Sequence, residues 1–71
     1  MILNELIREE VRLGRYIDRV ARVRAFRSEL EPEQLAKIAF VTPELLTSII
    51  AAIDAHPDWD DEQVAENVDF E

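Results

Sequence analysis

The sequence predicts an all-α domain of four helices, one long and three short. Three observations carry this reading. The 71 residues include one glycine and three prolines, too few turn formers for the tight turns of a β-sandwich or barrel. Apolar residues recur with a period near 3.6 rather than 2. Each proline falls at the first position of a helix or just before one, where the missing N–H costs nothing.

The first helix is expected over about residues 2–27, a stretch without proline. At 100° per residue, Ile2, Leu3, Leu6, Leu13, Ile17, Val20 and Ala21 share one face. Arg8, Arg12, Arg15, Arg19 and Arg22 run down the opposite face at spacings of 4, 3, 4 and 3. Arg24 and Arg27 suit the helix C-terminus, where the dipole is negative. Phe26 falls on the arginine side, so the register shifts or the helix ends near Val23 to Arg27.

The second helix is expected over about residues 32–39, with Pro32, Glu33 and Gln34 in its first turn and Leu35, Ile38 and Ala39 facing inward. Thr42 then caps a third helix over about 43–55. Its wide stripe of Leu45, Leu46, Ile49, Ile50 and Ile53 marks it as the centre of the core. A fourth helix is expected over about 59–67. Asp58 is placed as its cap, and Asp60, Asp61 and Glu62 sit where the dipole favours anions. Val64, Ala65 and Val68 face inward, and Phe70 tucks back.

The whole chain reads as one domain in two unlike parts. Residues 1–28 hold seven arginines against four acids, a net of +3, and residues 29–71 hold Lys37 against twelve acids, a net of −11. The total is −8, and the acidic part repels nucleic acid and favours solubility or a basic partner. There is no cysteine to bridge or to hold zinc. No apolar run approaches the roughly 18 residues of a membrane helix, and charges at residues 5, 8, 9 and 10 break any signal-peptide core. A cytoplasmic setting, no membrane and no cofactor are the expectations.

Candidate chemistry is thin. The acidic run at 58–62 has no glycine for a calcium-loop turn and is better explained by helix capping. His56 stands near Asp54 and Ser48, but neither a strained nucleophile turn nor a glycine-rich oxyanion loop accompanies them. Trp59 and Phe70 read as core anchors. An enzyme is therefore not expected.

One segment carries a resemblance. Leu35-Ala36, then Val41-Thr42, then Leu46 and Ile49 resemble a repressor-type helix-turn-helix over residues 33–50. The resemblance implies two crossed helices and a reading helix for DNA. Phe40 departs from it, standing where that family usually has glycine. The would-be reading helix offers Glu44, Leu45, Thr47 and Ser48 and no base, so Glu44 would meet phosphate.

The expected function is a small non-enzymatic interaction or regulatory module that self-associates. A 26-residue helix is about 39 Å long, against a diameter near 30 Å for a globule of this length. An overhanging apolar stripe needs cover, and a twofold pair is the commonest solution. The expected homodimer interface is Leu3, Leu6, Glu10, Leu13, Ile17, Val20, Ala21 and Arg24, with Glu10 of one chain beside Arg24 of the other in an antiparallel pair crossing at Ile17. The alternative to an overhang is a bend at Gly14. The arginine stripe reads first as a solvated face with local ion pairs to Glu5, Glu9 and Asp18, then as a surface for an acidic partner, and last for phosphates. The other readings are a helix-turn-helix nucleic-acid regulator and an accessory domain of a larger protein.

Overall fold

The computed structural model describes the backbone of residues 2–70 and the side chains of residues 11–70. The described residues form four helices and no strand: α1 (Ile2–Phe26), α2 (Pro32–Ile38), α3 (Pro43–Ala55) and α4 (Asp61–Asn67). The fold class is the expected one. α1 runs unbroken through Gly14, so the molecule is elongated, 43 × 25 × 18 Å, rather than folded back there. Its radius of gyration is 12.7 Å, against about 11 Å for a compact chain of this size.

The core gathers around α3, as its stripe requires. Ile49 is fully enclosed, and Leu46 and Ile53 are buried with it. Leu45 and Ile50 pack at the margin. Val20 and Val23 of α1, Leu35, Ala36 and Ala39 around α2, and Val64 and Ala65 of α4 complete the core. No buried polar or charged side chain is found among the described residues.

Two details of α1 differ from the sequence reading. Val20 was placed on a stripe open to a second chain, yet it is fully buried in the monomer. Val23 is equally buried, and Tyr16 and Phe26 pack against the core cluster. The buried face is therefore turned toward Val23 and away from Arg24. The reason is electrostatic. A face centred on Ile17 points Arg24 inward, and an unpaired guanidinium cannot be buried cheaply. Turned as it is, Arg24 emerges at the margin, where it pairs with Asp61 and donates to the Trp59 carbonyl at 2.8 Å.

Capping decides the helix starts. Thr42 Oγ1 accepts from the Leu45 N–H at 3.1 Å, as expected of the cap of α3. α4 begins later than 59, because Asp60 rather than Asp58 is its cap. Asp60 Oδ1 accepts from the Gln63 N–H at 2.8 Å, and the Asp60 N–H donates to Gln63 Oε1 at 3.3 Å, a complete capping box. Glu31 makes no side-chain cap on α2.

α2 ends in a Schellman motif. The Val41 N–H donates to the Ala36 carbonyl at 3.0 Å, and the Phe40 N–H to the Lys37 carbonyl at 3.3 Å. This closure requires a left-handed residue between them, and Phe40 takes it with φ 57°. Glycine is the usual occupant because it has no Cβ to clash. The turn sets α2 and α3 at 95° to each other. Phe40→Gly is expected to hold or raise thermal stability, since a left-handed side-chain residue costs about 1–2 kcal/mol and the exposed ring buries little. A melting temperature several degrees below the parent's would contradict this account of the turn.

Candidate functional site

The described arginines of the predicted stripe are Arg12, Arg15, Arg19 and Arg22. Arg22 Nε donates to Asp18 Oδ2 at 2.9 Å, and its Nη1 donates to the Ile38 carbonyl at 3.3 Å. Its guanidinium also lies 5.3 Å from the Phe40 ring centre. Arg19 stands over Tyr16 at 5.8 Å. Arg12 lines a shallow cavity with Leu13, Tyr16 and Phe70, and Arg15 is exposed. The stripe is thus partly spent on holding the α2–α3 turn to α1, a role that local helix periodicity could not reveal.

The other two described arginines tie elements together. Arg27 grips Asp54 of α3 with two parallel bonds of 2.7 and 2.8 Å. The hydrogen bond from Arg27 holds the Asp54 carboxyl below its usual pKa, against a smaller desolvation effect. A depressed carboxylate stabilises the fold above its unfolded pKa, and the contribution fades as pH falls through the folded value. Asp54→Asn should therefore lower the melting temperature slightly at neutral pH, the pair being exposed. The gap should close in acid below the ordinary carboxylate range. A gap that widens in acid would contradict this assignment.

The predicted interface residues divide. Leu13 and Ile17 pack against the core with part of their surface open, and Ala21 is half-buried. Val20 has no surface left to offer, and Arg24 has its acidic partner within the chain. Leu3, Leu6, Glu10 and Arg8 lie outside the described side chains. Gly14 is exposed, with open space where a Cβ would stand.

The aromatic contacts were not legible in the sequence. Phe70 does fold back, and it stacks on Tyr16 with centroids 4.2 Å apart and planes 8° from parallel. Its partner lies 54 residues away, beyond any local pattern. Phe40 is 67% exposed, the most exposed large hydrophobic residue among those described. His56 stacks on Trp59 at 3.6 Å beside the C-terminus of α3. Trp59 is half-buried against the core, as its anchoring role requires.

The outer face of α3 presents Glu44, Thr47, Ser48, Ala51 and Asp54. Thr47 Oγ1 and Ser48 Oγ donate back to the Pro43 and Glu44 carbonyls, at 3.0 and 3.3 Å. Among the described residues, no group of three or more His, Cys, Asp or Glu stands close enough to hold a metal ion. No single helix there is long and apolar enough to cross a membrane. No protein-family model, no curated protein and no solved structure matches the chain.

Proposed function

We propose that this chain is a small helical interaction module that self-associates with its first helix in the contact. The observation that carries this reading is the elongation of the molecule. α1 spans 25 residues, about 38 Å at 1.5 Å per residue, and dominates a 43 Å long axis. Three short helices of 7, 13 and 7 residues are packed along it, and Leu13, Ile17 and Ala21 keep part of their surface open. A face of that kind is what a second helical surface covers. Sedimentation of the purified chain across a concentration series tests it. A mass moving toward twice that of the monomer in the micromolar range is expected. A monomer at high micromolar concentration would end the proposal.

A second reading is a helix-turn-helix regulator, and the 95° bend between α2 and α3 favours it. Helices of that motif cross at about 90–120° through a short turn. The outer face of α3 argues against it, because Glu44 and Asp54 would lie toward phosphate. Retention of duplex DNA at low and physiological salt separates the two. A submicromolar, sequence-specific complex at physiological salt would establish this second reading.

A further inference from the structure

α4 ends at Asn67, and the chain leaves it extended at Val68, with φ −93° and ψ 138°. The Val68 N–H donates to the Val64 carbonyl at 3.0 Å and closes the helix. By Phe70 the chain has crossed to α1. There the ring lies flat on Tyr16, 4.2 Å between centroids and 8° from parallel.

The ring is lightly held. Phe70 is only half-buried, and open space flanks it. A cavity of about 320 Å³ lies between it and Leu13, Tyr16 and Ala65. Another of about 480 Å³ lies between it and Leu45 and Ser48. The ring lies beyond the last turn of α4, so a rotation at Val68 frees it without breaking a helical hydrogen bond. Chain ends of this kind open at a small fraction of the global unfolding free energy.

The position of the ring gives the contact its meaning. Leu13 and Tyr16 line the same cavity as Phe70. Leu13 is also one of the three residues, with Ile17 and Ala21, that keep the surface of α1 open to a second chain. With Phe70 in place, that open face stops at Leu13. With Phe70 gone, the face of the Tyr16 ring extends it. The chain end and a second copy therefore compete for the same margin of α1, and the chain end competes as an intramolecular ligand.

We propose that Val68–Phe70 is an autoinhibitory strap. Stacked on Tyr16 in the monomer, it shortens the self-association face of α1, and it is released when a second copy covers Leu13, Ile17 and Ala21. This rests on the self-associating reading and names the regulation of that face. Each dimer releases two straps, so the strap sets the concentration at which the pair forms.

The experiment follows the ring protons of Phe70 and Tyr16 in the parent by NMR, across the concentration range in which sedimentation gives first monomer and then dimer. Through-space contacts between the two rings, with upfield ring-current shifts, are expected in the monomer and should disappear in the dimer. Stacking that persists in the dimer overturns the proposal. Dimer dissociation constants are then compared for the parent and Phe70→Ala, each with and without Ala21→Arg, with helical content measured beside them. Phe70→Ala should tighten the dimer about tenfold or more, since two stacked pairs no longer compete with it. Ala21→Arg should weaken the dimer in both backgrounds. An unchanged or weaker dimer in a folded Phe70→Ala overturns the strap and leaves the self-associating reading standing. A tighter dimer that Ala21→Arg does not weaken also overturns it, because the ring then covers some other contact. If Phe70→Ala loses its helical signal, the ring protons of the parent decide alone. A parent that stays monomeric at high micromolar concentration overturns the self-associating reading and the strap with it.

Discussion

Ile49→Ala should lower the unfolding free energy by roughly 2–5 kcal/mol. Ile49 is fully buried at the middle of α3, with Leu46 and Ile53 on the same stripe. It joins a core cluster to which every helix contributes. Truncation removes the transfer energy of the lost carbons and leaves a cavity that the packed helices can only partly close. A domain of this length has about 4–10 kcal/mol in all, so the loss is a large share. At about 4–8 °C per kcal/mol for a domain of this size, thermal melting should begin many degrees earlier. A variant melting within a few degrees of the parent would show that α3 is not the centre of the core. Ile50→Ala, at the margin of the same helix, should cost less.

The parts of the fold legible in the sequence are those governed by neighbours along the chain. Pro32 and Pro43 each admit one helix start, and Thr42 has one donor within reach, so α2 and α3 lie where they were expected. The start of α4 was ambiguous because two aspartates precede it. Gln63 decides between them. It stands three residues after Asp60 and can answer the cap, whereas the residue three after Asp58 is Asp61, whose carboxylate faces Arg24. Nothing local distinguishes those uses of an acid. The turn of the α1 face, the Tyr16–Phe70 stack and the Arg27–Asp54 clamp all depend on partners 27 to 54 residues away. Phe40 is an intermediate case. The helix-turn-helix resemblance marked it as a position usually held by glycine, but its exposure and its contact with Arg22 depend on how α2 lies against α1.

Val23→Asp should abolish folding, or nearly so, and Ala21→Asp should not. The two residues separate the buried face of α1 from the one that periodicity around Ile17 draws. On that drawn face Ala21 is inside and Val23 is outside. In the structure Val23 has no exposed surface, while Ala21 is half-buried. An aspartate at 23 would bring a carboxylate among Val20, Ile49 and the rest of the core cluster. The flanking Arg22 and Arg24 are paired with Asp18 and Asp61, and the cations four residues to either side are Arg19, which lies over Tyr16, and Arg27, which is committed to Asp54. An uncompensated buried charge costs about 3–5 kcal/mol, comparable to the whole stability of so small a domain. The carboxyl can escape part of that penalty by staying protonated. The variant should therefore regain helical signal as pH falls below about 5, opposite to the acid-side loss expected of the Arg27–Asp54 pair. Circular dichroism of both variants between pH 4 and pH 8 reads this directly. Equal loss of structure in both would mean that the face is centred between them. Loss in Ala21→Asp alone would restore the face centred on Ile17, with Arg24 turned inward.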